Sequence, residues 1–455
     1  MRSDHADDDH RPAYVPRRFS SLHPRYPRTT TSLARPAAVE GVDDARARRA
    51  PGQPTGAAVT GLTPFSSVAY RYLFVGTMLT MSGYFMQQVA QGWLVYELTG
   101  SPTWLGIVSF AGGIPMLVLS LPAGVLVDRL DRRSVLIAAQ GLAALVTVVL
   151  AVLIATSLVQ PWHVAAIAFL GGSFFVVINP TRQALLPTAV ARHELGSAIA
   201  LMSAGTNSGR VIGPSLAGLL VAAFGAATAF GVQAAGSVLA LACAYMLLPQ
   251  PARHARRSSA IQNLLEGLRY VWRDPTVLAL MCLQAIPAFL IMPYLQLMPV
   301  FARDVLQSGP EGLGTLMTVM GIGSVPGSVG IVIFPPRRQG IALIVSLAAF
   351  ALLLVAFAAS TSLPLSIGLM GLIGVAQAIY LTINNALVQV ATPDALQGRV
   401  MSIYMMTWGL LPLGSLPQGA LADWLGAPVV VAGSGLLGAL IVIVMAVHSP
   451  TLRHL

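Results

Sequence analysis

Twelve apolar stretches, each close to the length of a bilayer crossing, follow one another from about Tyr72 to Val447, and the arginines collect in alternate gaps between them. A helix needs roughly 20 apolar residues at about 1.5 Å each to cross about 30 Å of hydrocarbon. With no water in that layer, every backbone N–H and C=O has to be bonded within the chain. Such a chain folds into membrane-spanning helices and into little else. Composition agrees, with 55% hydrophobic and 10% charged residues against about 25% charged in a soluble domain. On this ruler the spans fall near 71–96, 104–127, 134–157, 163–187, 197–224 and 227–249, then near 276–300, 312–334, 341–360, 363–388, 400–424 and 427–448.

Charge sets the orientation. All 27 basic residues are arginine. With the N-terminus on one side, all but two of them fall on that side, Arg182 at the end of span 4 included. The exceptions are Arg303, opposite, and Arg210, inside span 5. Arginine is retained in short cytoplasmic loops, so both termini are expected in the cytoplasm of a multi-pass protein of a bacterial inner membrane. The net charge of +10 is spread among the spans and forms no patch for nucleic acid.

Residues 1–66 alternate Arg, Asp, Pro and Ser with no apolar core for a signal peptide, and are expected to be a disordered cytoplasmic tail. The domains then read as a six-helix bundle over 67–249, a cytoplasmic linker over 250–275, a second bundle over 276–448 and a short tail over 449–455. In the linker, Ile261, Leu264, Leu265, Leu268, Val271 and Trp272 recur at helical spacing, which predicts an interfacial amphipathic helix. The halves echo each other. Arg132-Arg133 returns as Arg337-Arg338, and Ile178-Asn179 as Ile383-Asn384. Gly213, Gly218 and Gly225 return as Gly414, Gly419 and Gly426 with identical spacing. Duplicated six-span units are an architecture of alternating-access transporters.

Few residues carry chemistry. There is no nucleophile elbow, no His-Glu-x-x-His and no phosphate-binding lysine loop, so an enzyme is not expected, nor any cofactor or metal site. Cys243 and Cys282 lie in apolar segments and read as core residues. Asp128, where span 2 ends, can accept from a neighbouring helix N-terminus, where unpaired amides carry positive partial charge; the start of span 11 near Arg399 offers one. Span 5 carries Gly205, Gly209, Arg210, Gly213, Pro214 and Gly218. Small residues at this spacing let backbones approach, and Pro214 removes an internal hydrogen bond. Arg210 sits mid-membrane, where an arginine costs at least ~2.5 kcal/mol and usually faces a cavity. It either binds an anionic substrate and organises a polar cavity floor, or donates to carbonyls freed around Pro214. In span 1, Tyr84, Gln88 and Gln91 share a face at i, i+4 and i+7, fit for a cavity wall or for interhelical bonds. Asn179, Asn207, Gln284, Gln296, Asn384 and Asn385 are further polar candidates. Outside the tail, every acidic residue lies at a span end or in a loop.

The motifs taken in order resemble the major facilitator superfamily. They are Gly124…Asp128-Arg129…Arg132-Arg133, Asn179-Pro-Thr-Arg-Gln-Ala-Leu-Leu-Pro187, Arg210-Val-Ile-Gly-Pro214, Pro293-Tyr-Leu-Gln296 and Gly398-Arg-Val-Met-Ser402. Within that superfamily the chain resembles the exporter branch that includes enterobactin exporters and macrolide efflux proteins, over about residues 66–448. The resemblance implies an all-α fold of twelve transmembrane helices in two pseudo-symmetric six-helix bundles, functioning as a monomer. It implies a gating loop of Gly124, Asp128, Arg129 and Arg132 that latches the inner end, and a span 5 that seals the cavity. It also implies export of a small amphiphilic molecule, a siderophore or an antibiotic, with protons as coupling ion. The alternatives are a nutrient importer or facilitator of the same fold and, from another class, a membrane enzyme or sensor that transports nothing.

Overall fold

A computed structural model of the chain describes residues 62–248 and 260–448, with the side chains of Leu121, Val125, Asp128, Ala260, Ile261, Asn263 and Val332 outside the description. The expected tails and the first part of the linker fall largely outside these residues. The first four helices begin where the sequence offers a cap or a proline. Ser67 caps α1 (Val68–Thr99), and Pro102 opens α2 (Pro102–Arg129). Asp131 caps α3 (Arg132–Ala155) by accepting from the Ser134 amide at 2.8 Å, and Pro161 opens α4 (Pro161–Ala189). A helix N-terminus leaves four amides unpaired, and proline's missing N–H costs nothing there.

Spans 5 and 6 run together as α5 (Leu195–Tyr245), which doubles back at Gly225. Its φ of 81° and ψ of 169° lie in a region open essentially to glycine alone. Gly225→Ala is therefore expected to cost about 1–3 kcal/mol, read as a lower midpoint for thermal unfolding in detergent.

The linker helix α6 (Ala260–Arg273) leads into the second half: α7 (Pro275–Leu290), α8 (Tyr294–Val300) with a π turn over Phe301–Val305, α9 (Gly309–Ile333), α10 (Gln339–Ala358), α11 (Leu363–Ala391), α12 (Asp394–Thr407), α13 (Leu410–Leu425) and α14 (Ala427–His448). Spans 7 and 11 are each broken in two, at 291–293 before Tyr294 and at Trp408-Gly409. Among the described residues, nine segments are long and apolar enough to cross a membrane. One of them, Arg192–Tyr245, crosses twice. With α1 and the α12–α13 pair the twelve crossings are complete, and the fold is the all-α polytopic one expected.

One end of the bundle carries the α2–α3, α4–α5, α9–α10 and α11–α12 turns and α6; it is the arginine-rich end. The other carries Gly225 and Gly426 and is arginine-poor. The glycine repeat does the same three jobs in each half. A Cβ on Gly213 would stand 2.6 Å from the Ser82 carbonyl of α1, and one on Gly414 1.9 Å from the Phe289 carbonyl of α7. A Cβ on Gly218 would stand 2.3 Å from Gly314 Cα in α9 of the opposite half. One on Gly419 would be 2.6 Å from the Pro102 carbonyl of α2, again across the halves. Gly225 and Gly426, both at positive φ, then turn the chain back.

Two sequence expectations change. Arg182 is no loop-end arginine: it is 5% exposed, inside the first half. Its Nη2 donates to Thr80 Oγ1 at 2.7 Å and Gln140 Oε1 at 3.0 Å, tying α4 to α1 and α3. Seven residues still separate it from the end of α4, about 10 Å of helix. The amphipathic helix α6 has three faces where two were read. Gly267, Tyr270 and Val271 turn to the second half, Leu265, Leu268 and Trp272 are exposed, and Glu266, Arg269 and Arg273 form the polar edge. Glu266 pairs with Arg399 of α12 at 2.5 Å, so the linker is fastened to the second half.

Candidate functional site

The wall between the halves is built around α5. On a wheel of about 100° per residue, Gly205, Gly209 and Gly213 face α1 while Val211, Ser215 and Gly218 face α9. Ser215 and Thr318 of α9 share a hydrogen bond of 2.6 Å across the halves. Exposed Ile212, Leu216 and Leu219 form a lipid-facing sector. The sector left on the inside carries Asn207 and Arg210, both exposed, with Pro214 buried above them. The Arg210 guanidinium lies over the Phe85 ring, 5.5 Å from its centroid. Pro214 frees the carbonyl of Arg210 itself, so the guanidinium is directed at an aromatic face and the cavity, not at the proline break.

From α1, Tyr84 stacks on Phe175 of α4 with centroids 4.2 Å apart and meets Phe85 edge-on at 5.4 Å. Gln88, one turn on, is exposed and within hydrogen-bonding reach of Tyr84. Tyr84, Phe85, Gln88, Phe175, Asn207 and Arg210 thus compose one wall with aromatic faces, amides and a single cation. Among the described residues no carboxylate lies within ion-pair distance of Arg210.

Gln91 leaves this set. It is 6% exposed and its Nε2 donates to the Val164 carbonyl of α4 at 3.0 Å. Gln87 donates to it, and Gln233 of α5 donates to Gln87 at 2.7 Å. This glutamine chain is a strut between helices. Positions i+4 and i+7 diverge by about 60° around the helix, and only the docking of α4 decides which of them is covered. Gln284 and Asn384 are likewise buried in the second half, where Gln284 Oε1 accepts from Tyr380 at 2.9 Å, Asn384 at 3.3 Å and Tyr404 at 3.2 Å. They organise that bundle's core.

The two ends of the cavity differ. Among the described residues, the hydrogen bonds joining the halves lie between mid-membrane and the arginine-poor end. Ser109 donates to Ser415 at 3.1 Å. Nearer that end Asp423 accepts from Ser101 Oγ at 2.8 Å, from the Thr103 amide at 3.0 Å and from the Thr103 hydroxyl. The Tyr96 hydroxyl donates to Asp304, and Arg303 donates to the Tyr96 carbonyl at 3.3 Å while lying over its ring. That end is closed, and among the described residues no hydrogen bond joins the halves at the arginine-rich end.

At the arginine-rich end, Gly124 has clear space beside it and Arg129 is exposed. Arg132, expected in the latch of the inner end, donates here to the Ala184 carbonyl of its own half at 3.0 Å. Arg133 does the same to Tyr245 at 2.7 Å. The side chain of Asp128 lies outside the described residues. Sequence reading missed Tyr96, Thr103, Asp304 and Asp423 as a set, because their partners are more than 200 positions away.

A family model described as transmembrane secretion effector (MFS_3) matches residues 59–454. The chain belongs to that family. It is therefore a membrane transporter of the major facilitator superfamily and not an enzyme. Curated relatives include the multidrug efflux pump Tap of Mycolicibacterium fortuitum, 31% identical over 381 residues, covering 81% of this chain and 92% of that protein. The staphyloferrin A transporter of Staphylococcus aureus is 29% identical, covering 78% and 90%. The enterobactin exporter EntS of Shigella boydii is 26% identical, covering 74% and 80%. Among solved structures, the nucleoside transporter NupG aligns with a TM-score of 0.67 at 14% identity, covering 83% of this chain and 99% of that one. A bacterial Spinster homologue in an inward-facing, unoccupied conformation aligns with a TM-score of 0.66 at 13% identity, covering 86% and 97%. These two share the fold.

Proposed function

We propose that this transporter exports a small amphiphilic molecule with an anionic group, a siderophore or an antibiotic, from the cytoplasm across a bacterial inner membrane by proton antiport. One observation carries the reading: an exposed arginine, free of any described carboxylate, beside a pair of stacked rings between halves that no described hydrogen bond joins at the arginine-rich end. Arginine in short loops marks the cytoplasmic face, so the unjoined end is the loading side and both termini lie there too. A cation over an aromatic face suits an anion attached to a planar or apolar body. Relatives named as a multidrug efflux pump and as siderophore transporters support the cargo class.

Proton coupling rests on the resemblance. The described carboxylates stand at helix ends, and Asp128 is the candidate carrier. The test is efflux of fluorescent anionic, neutral and cationic amphiphiles from cells that lack their own pumps. Expression of this chain should lower retention of the anionic dyes, and a protonophore should abolish the effect. Equal retention of every dye would reject export, and efflux that survives the protonophore would reject antiport alone.

A further inference from the structure

We infer that Asp423 and Asp304 latch the arginine-poor end shut, and that Asp423 does for the N-terminus of α2 here what Asp128 would do for the N-terminus of α12 once the other end closes. The first turn of α2 has no cap of its own: Ser101 precedes it without a side-chain cap bond, and Pro102 follows. Its donors are served from the other half, 320 positions away, where Asp423 accepts from the Thr103 amide and from both hydroxyls. A carboxylate at a helix N-terminus is held by unpaired amides and by the helix dipole. Asp304 adds a second bond, from Tyr96 of α1, with Arg303 clamped on the same tyrosine. Both carboxylates belong to the second half and all their cross-half donors to the first.

The topology makes the arrangement reciprocal. Helices α2 and α12–α13 run antiparallel across the boundary, packed through Gly106 and Gly419. Each carries an aspartate in the last turn of its C-terminal end, Asp128 in α2 and Asp423 in α13; the C-terminal end of α13 meets the N-terminus of α2 here, and the C-terminal end of α2 lies at the same end of the bundle as the N-terminus of α12. Rocking the halves closes one end as it opens the other, so one cap is made while the other is broken. Exchange of like for like keeps the two conformations close in free energy, which a ligand of modest differential affinity can then tip. The inference rests on the rocking-halves reading of the fold.

Spin-label distances test it on purified full-length protein in nanodiscs, without substrate, in a Cys243→Ser, Cys282→Ser background. Labels at Leu158 and Trp424, exposed residues of opposite halves, report the arginine-poor end. Labels at Leu130 and Val390, also exposed, report the other. Asp423→Ala should raise the open-to-closed ratio at the first pair by about tenfold, the worth of one hydrogen bond to a charged group, while the second pair shortens. Thr103→Val, which leaves both carboxylates in place and removes one donor, should shift both pairs the same way by less, and Asp128→Asn should shift them the opposite way. Unchanged distances in Asp423→Ala and Thr103→Val would overturn the latch. Opening at the first pair with no response at the second would overturn the reciprocity. Absence of efflux in cells would count against the exporter reading and leave these distances untouched.

Discussion

Arg210→Ala is expected to reduce efflux of anionic amphiphiles by at least about tenfold, and to leave neutral ones nearly unaffected. The magnitude follows from one hydrogen bond to a charged group, about 1.5–3 kcal/mol. An arginine at mid-membrane costs at least ~2.5 kcal/mol, and no described carboxylate repays it. The Phe85 face offsets only part, about 0.5–2 kcal/mol. The remainder is offset by cavity water while the site is empty and by cargo when it is filled. Arg210→Lys keeps the charge but loses the planar fork, so it should retain part of the anionic efflux and none of the discrimination that a bidentate contact provides. The measurement is initial efflux rate against dye charge at matched membrane levels of protein. Equal losses for anionic and neutral dyes would mean that Arg210 holds structure, not cargo.

Gly218→Val is expected to abolish most transport, with a rate at least about tenfold lower in membranes that contain normal amounts of protein. Ordinary overpacking costs about 1–3 kcal/mol because side chains move aside. Here the obstruction is backbone: the added Cβ would meet Gly314 Cα at 2.3 Å and the Pro310 carbonyl at 3.1 Å. Helices α5 and α9 would have to part, and with them the Ser215–Thr318 bond and the closed end. The first half need not unfold, because Gly218 faces the other half while Gly205, Gly209 and Gly213 carry the packing on α1. Gly231→Ala and Gly236→Ala, where a Cβ meets nothing within 4 Å, are the matched controls and should transport normally. Normal transport in Gly218→Val would show that the two helices do not need this contact.

Much of the fold could be read locally. Apolar length placed the spans, prolines and capping residues placed their starts, and the repeat of Gly213, Gly218 and Gly225 at Gly414, Gly419 and Gly426 announced two copies of one packing scheme. The candidate wall was legible in part. Arg210 and Gln88 stood out as polar residues inside apolar spans, and both face the cavity. Gln91 looked equivalent and is buried, because a helix wheel gives angles around one axis and not the position of the neighbour. Arg182 was assigned to the cytoplasmic end of span 4 by its distance along the chain, yet it is the more deeply buried arginine of the two in membrane helices.

The sequence by itself determined the membrane class, the number of crossings and the duplication, since each follows from hydropathy or spacing along the chain. Only the tertiary structure decided which polar residues meet a cavity and which a helix, and which end of the transporter is shut. Those outcomes depend on partners hundreds of positions apart, such as Asp423 with Thr103 and Tyr96 with Asp304. A hydrogen bond is set by distance in space, and no pattern local to either residue records it.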